Sequence, residues 1–235
     1  MALTGRDLHT SVVEQWGQEI VSGERPVGAI VSTDAVAAQF GVSRGVIREV
    51  VRVLESMGLV ASRQRVGITV QPQESWSPYN PDVLRWRLAG PQRAQLLGTL
   101  AELRAAVEPS AARRAAERAS GEQCAALAAA YVGMVATARD ARTEDYLRHD
   151  MDFHRVLLQA SGNEFFAGLT GVVDALLAGR THHDLMPQIA NANALRWHGD
   201  IVAAVQSGDG QSAFRAALAI VEESDSAVQG AGPAS

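Results

Sequence analysis

The segment PQESWSPYNP at 72–81 carries three prolines with Ser and Asn, and it interrupts the periodic pattern on both sides. Proline lacks a backbone donor and fixes φ, so neither a helix nor a central strand runs through such a stretch. The chain is therefore expected to fold as two pieces, 1–71 and 82–229, joined by a linker at 72–81. The end of the chain, GAGPAS at 230–235, is expected to be a disordered tail.

In the first piece, Val12, Val13, Trp16, Ile20 and Val21 recur at helical spacing and stop at Gly23. A short second helix is expected near 32–40, followed by Gly41-Val42-Ser43. Ser43 is a good N-cap for a third helix over 44–57, which Gly58 ends. Two short strands, 59–63 and 67–71, flank Gln64-Arg65-Val66-Gly67. Three helices and a hairpin make a winged helix-turn-helix.

On that third helix Ile47, Val50, Val51, Leu54 and Met57 share the face that packs inward. Arg44, Arg48 and Arg52 follow one another at four-residue spacing, each about 40° round from the last, and form a ridge beside it. The hairpin adds Arg63 and Arg65. The whole chain has net charge −5 and all its basic residues are Arg, yet within 43–66 five Arg face only Glu49 and Glu55. A compact positive patch on an acidic protein fits an anion-binding face. A ridge of this kind in a major groove can give bidentate contacts to guanine, Ser43 and the first helical amides can reach phosphate, and Arg63 and Arg65 on the Gly67-containing wing would meet the flanking backbone or minor groove. A merely solvated face needs the Ser-Arg start, the ridge and the basic hairpin all to be accidental, so binding of double-stranded DNA is favoured.

The second piece reads as helices near 81–89, 92–119, 121–139, 143–160, 163–180, 189–206 and 209–227. Short connections imply antiparallel neighbours, so the fold class is mostly α, an N-terminal winged helix-turn-helix followed by an antiparallel all-helical bundle. Asp150 and His154 stand at i, i+4 and project side by side, and His198 opens a later helix that the bundle can bring in. Three readings stand: a Zn²⁺-like ion on Asp150, His154 and His198, direct hydrogen bonds from them to a polyhydroxylated ligand, or an ordinary satisfied Asp–His pair. No apolar run of roughly eighteen residues exists to cross a membrane. The start, MALTGRDLHT, lacks a basic head with an apolar core, and Cys124 is the single cysteine, so the cytoplasm is the expected compartment.

The run SGERPVGAIVSTDAVAAQFGVSRGVIREVVRVLESMGLVASRQRVGITV resembles the winged helix-turn-helix of the GntR family of bacterial transcription regulators. LRAAVEPSAARRAAERA, DMDFHRVLLQASGNEFF and HGDIVAAVQSGDGQSAFRAAL are similar to the FCD ligand-binding domain of its FadR-type subfamily. PYNPDVLRWRL and RTHHDLMPQ look closest to regulators of sugar-acid catabolism, of the galactonate and gluconate type. The resemblance implies a homodimeric repressor that binds an inverted repeat and is released by a small carboxylate effector. It also implies that Asp34 stands where the family usually has a phosphate-contacting Arg, so non-specific attraction to DNA should be weaker and its salt dependence shallower.

Metal-binding FCD domains use one Asp and three His. The resemblance maps these to Asp150, His154 and His198, with Ile220 in the third His position, where no ligand is possible. It also places Arg104 at the effector pocket, able to hold a carboxylate, although an i, i+4 surface pair with Glu108 is the plainer reading. His182 and His183, which follow Arg180-Thr181 near the end of a helix, either supply what position 220 lacks or sit exposed in a loop. The expected effector set is Arg104, Asp150, His154, Thr181, His182 and His198. Two other functions compete: a metal-dependent hydrolase at Asp150/His154/His198, which leaves the arginine ridge unexplained, and an architectural DNA-binding protein without an effector.

Overall fold

The computed structural model describes residues 5–182 and 187–230, in two compact units that divide between Pro91 and Gln92. The first unit opens with α1 (Gly5–Val21), β1 (Ile30–Val31), α2 (Thr33–Phe40) and α3 (Arg44–Ser56). It continues through β2 (Val60–Arg63), β3 (Gly67–Val70), a 3-10 turn at Gln73–Ser75 and α4 (Pro81–Ala89). Trp16, Ile47, Val50 and Leu54 are fully buried where α1 crosses α3, which is the apolar stripe expected from their spacing. Ser32 caps α2 by accepting from the Ala35 amide at 3.1 Å, and Ser43 caps α3 by accepting from the Val46 amide at 3.3 Å.

The hairpin pairs β2 with β3 in antiparallel register, Val60 opposite Val70 and Arg63 opposite Gly67. β1 adds a third strand on the other side of β3, giving the order β1-β3-β2. A two-residue strand has no alternation to read, so the sequence does not announce it. Gly58 links α3 to β2 with φ +75, and a Cβ there would collide with the Ser75 carbonyl oxygen. Only glycine tolerates both demands.

The sequence reading places the domain boundary at 72–81, but α4 belongs with the first unit. The Trp86 ring lies directly over Gly17 of α1, in the space a Cβ would need. Trp86 Nε1 donates to Glu14 Oε1 at 2.9 Å, and Arg85 clamps both oxygens of the same carboxylate at 2.6 and 2.5 Å. The proline-rich stretch is thus a turn within a unit, fixed by contacts more than sixty residues apart in sequence.

The second unit comprises α5 (Arg93–Arg118), α6 (Gly121–Thr137), a 3-10 turn at Ala138–Asp140, α7 (Glu144–Ala160), α8 (Glu164–Ala167), α9 (Thr170–His182), α10 (Ala192–Ser207) and α11 (Gly210–Gly230). Buried alanines line the α5–α11 seam, Ala112, Ala115 and Ala116 on one side and Ala213, Ala216 and Ala217 on the other, so the two backbones approach closely. Phe153, Leu157 and Ile201 fill the middle of the same core. The single helix expected over 163–180 is two, because the chain turns at Gly168-Leu169. The amides of both residues bond back to Glu164 and Phe166, and α9 restarts with Val172, Val173, Leu176 and Leu177 inward. Among the described residues no helix is long and apolar enough to cross a membrane. Residues 231–235 of the expected tail, and His183, lie outside the described residues.

Candidate functional site

Two features of the fold carry chemistry, one in each unit. On the first unit Ser43, Arg44, Arg48 and Arg52 are exposed on α3, and Arg63 and Arg65 are exposed on the hairpin. Their charges are not equally free. Arg44 is held by Asp34 of α2, Nε to Oδ1 at 2.5 Å and Nη2 to Oδ2 at 2.9 Å. Arg52 pairs with Glu49 at 2.8 Å, one turn back on its own helix. Arg48, between them, has no ion-pair partner among the described residues. At the hairpin tip Arg65 has φ +67, and Glu55 of α3 accepts from the Ser62 amide at 2.6 Å, which ties the wing to the helix. Gly67 has φ +116 and its missing Cβ would stand 2.8 Å from the Val31 carbonyl oxygen, so its role is to let β1 approach.

The second unit holds a cavity of about 660 Å³, open on one side, lined by α5, α7, α9, α10, α11 and the segment 187–191. Arg104, Asp150, His154 and His198 all line it, and all four are buried. Asp150 and His154 lie on the buried face of α7 with Tyr146, Leu147, Phe153 and Leu157. Phe153 packs edge-on against His198, with centroids 4.7 Å apart, and His154 and His198 cross at 5.5 Å. The Nε2 atoms of His154 and His198 lie 3.4 and 3.6 Å from Asp150 Oδ1.

On the far side, the His198 ring has a hydrogen-bond partner, while His154 Nδ1 has a carboxylate in ion-pair range but no hydrogen bond. His198 Nδ1 lies 2.7 Å from the Ala194 carbonyl oxygen, so it donates there and leaves Nε2 as the free lone pair. His154 Nδ1 faces Glu108 Oε2 at 3.1 Å. Asp150 Oδ1 and His198 Nε2 are buried without a hydrogen-bond partner, although one ligand atom from each of the three residues falls within 4.8 Å of the others. Polar atoms left unpaired in a protein interior are costly, and unpaired donor atoms that converge on one point fit a cation.

Arg104 combines both of its sequence readings. It pairs with Glu108 one turn on, Nε to Oε1 at 2.5 Å and Nη2 to Oε2 at 3.0 Å, but the pair is buried and its guanidinium lines the cavity. Burial pushes the Glu108 carboxyl up, but Arg104 and then His154 outweigh it and hold it at about 2. For His154 burial opposes the charge, yet Glu108 and Asp150 hold its pKa at about 9. Burial likewise works against the Asp150 carboxylate, and the two histidines keep it well below the usual range.

Thr181 is buried but does not line the cavity, and His182 is exposed and pairs with Glu144 at 2.8 Å. The neighbour that does reach the cavity is Arg180, joined there by Tyr146, Glu223 and Ser224. A sequence signal for Arg180 exists: it continues the buried stripe Val172, Val173, Leu176, Leu177 by one helical turn. Ile220 lines the cavity, so the third histidine position faces the site with an apolar side chain.

Residues 8–70 match the family described as bacterial regulatory proteins, gntR family, and residues 99–223 match the FCD domain. Two Escherichia coli K12 proteins are similar over nearly their whole length. The galactonate operon transcriptional repressor is 30% identical over 215 residues, covering 91% of this chain and 93% of that protein. The uncharacterized HTH-type transcriptional regulator YieP is 28% identical over 223 residues, covering 94% and 95%. Among solved structures, Lar, described as controlling expression of the Listeria monocytogenes agr system, aligns over 98% of this chain and 99% of its own with TM-score 0.64. At 16% identity that likeness shows the fold alone.

Proposed function

Because this chain belongs to the GntR family of transcription regulators and carries an FCD domain, we propose that it is an operator-binding repressor released by a small sugar acid such as galactonate or gluconate. It is a regulator and not an enzyme, which disposes of the hydrolase reading. The observation that carries the proposal is the pairing of an exposed arginine face in one unit with a cavity in the other whose lining includes the buried polar side chains of Arg104, Asp150, His154, Arg180 and His198. An architectural protein needs no such cavity.

As a homodimer the protein would set two α3 helices on an inverted repeat, whose symmetry mirrors that of the dimer. Arg48 would read bases, and Arg63 and Arg65 would hold the flanking backbone. An effector that prefers the arrangement unable to bind DNA lowers operator affinity, typically by about 1–3 kcal/mol of coupling.

Asp150, His154 and His198 would hold a divalent cation such as Zn²⁺, with Glu108 and the Ala194 carbonyl orienting the two imidazoles. When bound, that ion offers open positions for effector oxygens, since Ile220 supplies no fourth ligand. The orphaned Asp150 Oδ1 and His198 Nε2 favour this over direct hydrogen bonding of the effector by the same three residues.

A thermal-shift panel of sugar acids, fatty acids and dicarboxylates, run with and without chelator, tests the reading. Galactonate or gluconate should raise the melting temperature, and the rise should vanish with chelator and in His198→Ala. A rise that survives chelation removes the metal and keeps the effector. If no sugar acid shifts the transition, the effector reading fails.

A further inference from the structure

Arg180 is 93% buried on α9, and its guanidinium lines the cavity. One nitrogen, Nη1, donates to Ser224 Oγ through a short hydrogen bond, while Nε has no partner among the described residues. It also makes no ion pair with any described residue, in contrast to Arg104, whose charge Glu108 answers at contact distance. Burial pushes the Arg180 pKa down and the nearby Arg104 pushes it further, with Asp150 and Glu223 opposing from beyond contact range. Neither acid is at leisure: Asp150 faces the two histidines, and Glu223 accepts from Asn191 at 2.7 Å. A guanidinium has five donors in a planar fork, and a buried one with unused donors and no counter-ion is costly to keep.

We infer that Arg180 is the carboxylate anchor of the cavity, taking the effector's carboxylate on its free donors beside the Ser224 hydroxyl, while the effector's hydroxyls lie toward the end of the cavity where Asp150, His154 and His198 would hold the cation. This deepens the proposed function and rests on its reading of the cavity as the effector site. The anion supplies a charge that no described residue gives Arg180 at contact distance, and Arg104 stays bound to Glu108 instead of changing partners. The ligand class is thereby narrowed to a monocarboxylate whose remaining length is hydroxylated. Neutral polyols of the same skeleton leave the cation unanswered.

The test measures melting temperature and binding by calorimetry for wild type, Arg180→Met and Arg180→Lys. The probes are galactonate, its neutral counterpart galactitol, and hexanoate, a carboxylate without hydroxyls. Wild type should prefer galactonate to galactitol, and Arg180→Met should bind galactonate roughly a hundredfold more weakly while galactitol is little changed. Arg180→Lys keeps the charge but not the fork, and should fall between them. Without ligand, Arg180→Met should melt higher than wild type, by roughly 2–8 °C, because a buried charge with no ion-pair partner among the described residues is gone. A lower melting temperature or failure to fold would make Arg180 a structural residue and overturn the inference, as would galactonate binding unchanged in Arg180→Met. If hexanoate binds through Arg180 and galactonate does not, the anchor stands and the sugar-acid reading falls. If no carboxylate binds wild type, the anchor falls.

Discussion

Asp34 and Arg44 lie on successive helices, and their two-point contact sets how much of the α3 charge is available to a phosphate backbone. Both side chains are largely exposed, so the pair contributes only about 0–1 kcal/mol to folding. Its consequence is for binding: Arg44 must leave Asp34 to meet DNA. Asp34→Asn is expected to leave the melting temperature nearly unchanged, to tighten DNA binding, and to steepen the slope of log K against log salt by about 0.9, one phosphate's worth. Fluorescence anisotropy on one duplex across a salt series checks it, and an unchanged slope would mean that Arg44 does not contact phosphate. Glu108 is the opposite case, a buried carboxylate between Arg104 and His154. Glu108→Gln strips the answering charge from Arg104 in a dry setting and should destabilise the fold by about 3–5 kcal/mol, measured by urea denaturation. A loss near zero would show that the pair is not dry. At this scale Asp150 and His154 are legible from their i, i+4 spacing, whereas the pocket position of Arg104 comes from the family resemblance, its spacing to Glu108 alone suggesting a surface pair. Thr181 and His182 illustrate the limit, since one residue of helix is about 100° of rotation and Arg180, not its neighbours, reaches the cavity.

Among the elements, α4 is the one whose allegiance the sequence does not reveal. Its proline-rich approach reads as an inter-domain linker, yet Arg85 and Trp86 both bond Glu14 of α1 and the Trp86 ring needs Gly17 beneath it. A pairing between residues 14 and 86 leaves no local signature. The Arg85 hydrogen bonds lower the Glu14 pKa, against the opposing effect of burial. A carboxyl lowered in this way contributes stability above its ordinary value of 4.5, and that contribution is lost as pH falls below it. The melting-temperature gap between wild type and Glu14→Gln should therefore be open near neutral pH and close in acid. A gap independent of pH would mean that the Trp86 packing, not the charge, holds α4. The break between α8 and α9 at Gly168-Leu169 was hidden for a related reason: Phe165 and Phe166 continue an apolar pattern across a turn, although Phe165 ends up exposed.

Across the whole molecule, the arginine ridge and the cavity lie in different units and answer to different partners. The helix-turn-helix and the bundle are written in local signals, caps and stripes, and so could be read in advance. The cavity is made by five helices meeting, and which of their polar residues converge is a property of packing. Ser224 and Glu223, one turn beyond Ile220 on α11, come into view only there. The central claim is that occupancy of this cavity governs the hold of α3 on DNA. The most direct measurement is the affinity of the full chain for a palindromic duplex selected from a random pool, with and without saturating galactonate or gluconate. One of these acids should weaken binding by about 5–150-fold, and the effect should disappear in Arg180→Met while DNA binding without ligand persists. An affinity that stays the same when the acid is shown to be bound would contradict the account.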